Sequence, residues 1–87
     1  MKTYIGIDPG GSGGIATINS DGKLIQVVKM PDTPLDILNY IRGYDPDNII
    51  CCIERVHGMP GMGGASMFKF GKNFGYLTMA LLANNIQ

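Results

Sequence analysis

Apolar and polar positions follow two periods along this chain. Residues 3–8 read as a first strand, Ile15-Ala16-Thr17-Ile18-Asn19 as a second and Leu24-Ile25-Gln26-Val27-Val28-Lys29-Met30 as a third, each short and rich in β-branched residues. Ser20-Asp21-Gly22-Lys23 predicts a hairpin turn between the last two, because Asp-Gly tolerates the positive φ such turns need. Pro9-Gly10-Gly11-Ser12-Gly13-Gly14 ties the first two closely, so the opening reads as a three-strand antiparallel meander. Thr33-Pro34-Leu35-Asp36 then starts a helix, with a hydroxyl at the N-cap, proline at N1 and an acid at N3. Ile37, Leu38, Ile41 and Tyr44 supply its apolar stripe, and Gly43 with Asp45-Pro46-Asp47 ends it. Ile49 to Glu54 reads as a fourth strand. Met67, Phe70, Phe74, Leu77 and Leu81 recur at steps of three and four, predicting a long second helix.

This order predicts a topology. Strands one and three of a meander run the same way, and a crossover helix makes the fourth strand parallel to them. If strand four pairs with the free side of strand one, the carboxyl ends of both lie together. Asp8 closes the first run and Glu54 the fourth, each followed at once by a glycine-rich segment. Both carboxylates then fall at one sheet edge, where α/β sheets bind their ligands. Asn84-Asn85-Ile86-Gln87 reads as a lead into a fifth strand.

Composition narrows the classes. Eighty-seven residues make one domain, and 45% hydrophobic with 16% charged residues suits a folded chain. Thirteen glycines are about twice ordinary usage, and most fall in the two loops just named. The longest uncharged apolar stretch, Phe74 to Ala83, is too short for a bilayer span. Met1-Lys2 leads straight into a strand without a signal-peptide core, so a cytoplasmic protein is expected. Cys51 and Cys52 read as small buried hydrophobes on opposite strand faces, too few for zinc. Net charge is zero, but residues 1–53 carry −2 and residues 54–87 carry +2, with the excess of cations beside the candidate site.

Two neighbouring carboxylates repel unless a cation lies between them. Oxygen ligands suit a hard divalent ion, Mg²⁺ or Mn²⁺, of the kind that catalyses phosphodiester hydrolysis. The plain alternative is that Asp8 begins an Asp-Pro turn and Glu54 is a solvated strand end.

Tyr4-Ile5-Gly6-Ile7-Asp8-Pro9-Gly10, with its small-residue turn and second strand, resembles the opening of the RuvC-like Holliday junction resolvases, and Ile53-Glu54-Arg55-Val56 resembles their second acidic motif. The block Glu54-Arg55-Val56-His57-Gly58-Met59-Pro60-Gly61-Met62-Gly63-Gly64-Ala65-Ser66-Met67-Phe68-Lys69-Phe70-Gly71-Lys72-Asn73-Phe74-Gly75 looks like the phage and prophage branch of that family. The resemblance implies a ribonuclease H-like fold, a homodimer and Mg²⁺-dependent incision of branched DNA in a bacterial host cell, with Asp8 and Glu54 as catalytic metal ligands. The family places two further catalytic acids (or a His and an Asp) on a last helix after a fifth strand. No residue here matches them, so the chain is expected to be an amino-terminal portion, weakly active or inactive alone.

Other residues carry lesser expectations. Lys69, Lys72, Asn73 and Tyr76 form one polar stripe on the second helix, which either contacts DNA phosphates or is an ordinary solvated face. Arg55 and His57 stand where they could steady a phosphate or the attacking water. The Gly58–Gly64 loop, with Met59 and Met62, either wedges into a junction or is a plain loop. Gly71 and Gly75 suggest close packing of the helix on the sheet or on another copy, and Met67, Phe68, Phe70 and Phe74 are expected in the core or a dimer contact. Two other functions fit parts of the pattern. Asp8-Pro9-Gly10-Gly11-Ser12-Gly13-Gly14 also looks like the first phosphate loop of the actin, sugar-kinase and Hsp70 ATPases, and a non-catalytic DNA-binding or dimerisation remnant is the third reading.

Overall fold

A computed structural model describes residues 2–10, 12–54 and 63–86. Its elements are strands β1 (Thr3–Asp8), β2 (Gly14–Ile18) and β3 (Leu24–Lys29), helix α1 (Pro34–Arg42), strand β4 (Ile49–Ile53) and helix α2 (Gly64–Ala83). A single 3₁₀ turn, Pro46–Asn48, leads into β4. The sheet order is β3-β2-β1-β4. β1–β2 and β2–β3 are antiparallel, and β1–β4 is parallel with Ile7 opposite Ile53. Meander, crossover helix and parallel fourth strand are thus as the sequence predicts.

Local chemistry explains the turns. Gly22 takes φ +82° between β2 and β3, and Asn19 Oδ1 accepts from the N–H groups of Asp21 and Lys23, both at 3.0 Å. Thr33 Oγ1 caps α1 by accepting from the Asp36 N–H at 3.1 Å. α2 ends in a Schellman turn: Asn85 adopts φ 59°, Ile86 N–H donates to Leu81 O and Asn85 N–H to Leu82 O. Ile86 is buried by that turn, so the residues read as a strand lead-in serve first as a helix stop.

Both helices cover one sheet face. Ile5, Ile7 and Ile15 from the strands meet Ile37 and Ile41 of α1 and Leu77, Ala80 and Leu81 of α2. The alternation of β1 sends Tyr4 and Asp8 to the other face, beside Ile50 of β4 and Val27 of β3, all exposed. Cys51 lies on the helix side and is half-buried. Cys52 is exposed on the open face, not buried as expected, because no described residue covers that face.

α2 is apolar on more sides than one. Phe70 and Phe74 are half-buried, but Met67 is 38% and Phe68 69% exposed, so the core stripe loses its first member, Met67, and Phe68 lies outside the core. A Cβ on Gly71 or Gly75 would meet nothing within 4 Å, so the helix does not approach its own sheet there. The two glycines lie on a back that also exposes Met79 and Leu82, each 64%.

A hydroxyl chain joins sheet to α1. Tyr40 donates to Gln26 Oε1 and Tyr44 to Tyr40 Oη, each at 3.1 Å; Thr17, itself buried, then donates to Tyr44 at 2.7 Å. Burial pushes the Tyr44 hydroxyl up to about 12 and the Cys51 thiol up to about 11. Groups with raised folded values contribute stability that is complete below their ordinary pKa and lost as pH rises through the folded one. The urea midpoint is therefore expected to fall from about pH 9 towards pH 12, with the onset moved upward in Cys51→Ala. A midpoint unchanged across that window would contradict this.

Candidate metal and nucleic-acid site

The carboxyl edge of β1 and β4 is built by backbone register. The N–H of Glu54 donates to Ile7 O at 3.0 Å, the bond that closes the last registered pair, Ile7 opposite Ile53. Asp8 and Glu54 each follow that pair by one residue, at the ends of adjacent strands that lie about 4.8 Å apart. With Ile7 turned to the helices, the alternation of β1 sends the Asp8 carboxylate to the opposite face, and Asp8 and Glu54 are both exposed.

The glycine turn holds Asp8 in place. Asp8 Oδ1 accepts from the Gly10 N–H at 3.1 Å, and among the described residues Oδ2 has no hydrogen-bond partner. Gly13 N–H donates to Gly10 O at 2.9 Å, and Gly13 O accepts from the Met30 N–H at 3.0 Å. A Cβ on Gly13 would stand 2.8 Å from the carbonyl carbon of Asp8, 3.0 Å from its Cγ and closer still to its carbonyl oxygen. Glycine is required there because the backbone and carboxyl group of Asp8 occupy the space. Pro9, fully buried, anchors the turn from below.

α2 closes the same edge from the helix side. A Cβ on Gly10 would lie 3.7 Å from Phe70 Cε2, so this ring rests against the turn. Lys69 and Asn73, on either side of Phe70, line a small pocket with Met30, Pro31 and Asp32. Lys72 points elsewhere, its Nζ 5.4 Å above the Phe68 ring. Tyr76 turns into a groove between the helices beside Pro34 and Leu38. The polar stripe thus splits: Lys69 and Asn73 line the pocket just past the end of β3, and Lys72 and Tyr76 do not share it. Arg55, His57 and the loop methionines Met59 and Met62 lie outside the described residues.

Asp32 and Phe70 join the site's surroundings, although the sequence pattern does not mark either as a site residue. For Asp32 a signal exists, since β3 runs parallel to β1 and an acid soon after its end falls at the same edge. For Phe70 there is none, because its spacing is that of any core residue.

The donor set suits a hard divalent cation but is sparse. Among the described residues, no group of three or more His, Cys, Asp or Glu side chains converges as a metal cage. Asp8 and Glu54 would hold such an ion from one side, with water completing its shell.

No protein-family model matches the sequence. No curated protein matches it either. Solved structures do match. Thermus thermophilus RuvC in complex with a Holliday junction substrate superposes with a TM-score of 0.69 at 16% identity, over 99% of this chain and 61% of that one. A second Thermus thermophilus RuvC structure gives 0.61 at 18% identity, over 97% of this chain and 60% of that one. The chain has the ribonuclease H-like core of these structures, as four mixed strands and two helices, and spans about three fifths of their length.

Proposed function

We propose that this chain is the Asp8–Glu54 half of a divalent-metal-dependent, structure-selective endodeoxyribonuclease acting on Holliday junctions or related branched DNA. The observation that carries the proposal is that Asp8 and Glu54 each come directly after the last registered pair of the parallel strands β1 and β4, with Asp8 held by a glycine turn. The fold's match to a protein bound to a Holliday junction supports the choice of substrate. The Glu54–Gly75 block supports the phage and prophage branch.

Asp8, oriented by the Gly10 N–H, and Glu54 hold Mg²⁺ or Mn²⁺. The chemistry such an ion supplies is activation of the attacking water and neutralisation of charge on the scissile phosphate. Lys69 donates to a backbone phosphate, and Asn73 adds an uncharged donor next to it. Arg55 and His57, next to Glu54 in the sequence, and Lys72 are further candidate phosphate contacts. Two carboxylates place an ion less firmly than four, so binding outlasts catalysis: this chain grips junctions and cuts them slowly or not at all. The exposed back of α2, with Phe68, Met79 and Leu82 around open glycines, supports a homodimer.

Fluorescence anisotropy with a four-way junction and a linear duplex of equal length tests this. The junction is expected to bind more tightly, with Mg²⁺ changing its affinity, and sedimentation of the same sample to give a dimer. Equal affinity for both DNAs would defeat the structure-selective reading. Binding of ATP without DNA would favour a phosphate-loop ATPase instead, and a monomer at all concentrations would remove the homodimer.

A further inference from the structure

The pocket at the end of β3 contains a charge that the proposed function leaves unused. Asp32 shares a space of about 60 Å³ with Lys69 and Asn73, floored by Met30 and Pro31. That is room for a group of a few heavy atoms. The segment carrying Asp32 does not hang free: the Met30 N–H is bound to Gly13 O, and the Met30 side chain is buried in the core. On the opposite wall Phe70, the residue after Lys69, approaches the glycine turn, since a Cβ on Gly10 would lie 3.7 Å from its ring. Asp32 is an exposed carboxylate. A phosphate entering beside Lys69 and Asn73 must come up against that carboxylate.

We propose that Asp32 sets the affinity of this edge for nucleic acid, its carboxylate opposing phosphate at the Lys69–Asn73 subsite. The inference rests on the proposed nucleic-acid function and adds to it a residue whose position weakens binding. One subsite held below its full strength leaves tight binding to substrates that engage further contacts, which is how repulsion at one point contributes to selectivity.

Asp32→Asn keeps the size and polarity of the side chain and removes its charge. It is expected to tighten binding of a four-way junction about three- to tenfold at roughly 0.1 M salt, where charges beyond about 10 Å are screened. Asp21→Asn is the control for net charge alone. Asp21 sits in the turn at the other end of the six-residue β3, about 20 Å away, and its substitution is expected to leave affinity unchanged. In a Lys69→Ala background the gain from Asp32→Asn is expected to shrink or vanish, since the subsite has lost its cation. Unchanged or weaker binding in Asp32→Asn overturns the proposal, as does an equal gain in Asp21→Asn or a full gain without Lys69. If no variant binds DNA, the proposed function itself fails, a result distinct from binding that ignores Asp32.

Discussion

Gly13→Ala is expected to lower stability by roughly 2–4 kcal/mol and to abolish divalent-metal binding. The added methyl would fall 2.8 Å from the Asp8 carbonyl carbon and 3.0 Å from its Cγ, and neither atom is the loose end of a flexible side chain. The turn has no room to retreat, because Gly13 is bonded to Gly10 on one side and to Met30 on the other. Relief requires Asp8 to move, which displaces its carboxyl group from the end of β1, next to the end of β4. Gly10→Ala serves as the comparison. Its methyl would make ordinary contacts at 3.4 Å to Asp8 Oδ1 and 3.7 Å to Phe70, so it should stay within about 1 kcal/mol of the parent. Urea titration of both variants checks this, and equal stability of the two would show that the turn is looser than its contacts indicate.

Asp8→Asn and Glu54→Gln are expected to act in the opposite way, preserving the fold and removing function. Both side chains are exposed, and an asparagine at position 8 can still accept from the Gly10 N–H. Stability without metal should change by about 0.5 kcal/mol or less in either direction, since removing one of two neighbouring negative charges offsets any small loss of hydrogen bonding. Mn²⁺ affinity should fall at least about tenfold in each variant, because a site with two carboxylates loses half of its charged ligands. Isothermal titration in parallel with urea unfolding reads both quantities. A variant that loses stability but keeps its metal would place these acids among structural groups.

Much of this architecture is legible in the order of residues alone, for identifiable reasons. Asp21-Gly22 allows a positive φ, Thr33-Pro34 marks a helix start, and the strand order follows from a meander and one crossover. Together these put Asp8 beside Glu54, because parallel neighbours end at the same edge. What escapes the sequence depends on the third dimension. Helix α2 carries apolar residues around most of its circumference, so periodicity does not separate Phe70 and Phe74, which meet the molecule, from Met67 and Phe68, which face outward. Lys69 and Lys72 share a helix face in projection, yet one lines a pocket with Asp32 while the other lies on a phenylalanine ring. Asn85 and Ile86 close a helix through a left-handed residue, a role that an asparagine pair signals only weakly. The need for glycine at position 13 is a close approach between backbone segments, invisible until the turn is folded.

Joint grip of a divalent ion by Asp8 and Glu54 is most directly tested by titrating trace Mn²⁺ into the isotopically labelled chain and following paramagnetic broadening of its amide resonances. Asp8, Gly10, Gly13, Ile53 and Glu54 are predicted to broaden first, and Asp8→Asn to remove this pattern while leaving the spectrum folded. Broadening centred on the exposed acids Asp45 and Asp47 near the start of β4, or an unchanged pattern in Asp8→Asn, would contradict a shared ion at this edge.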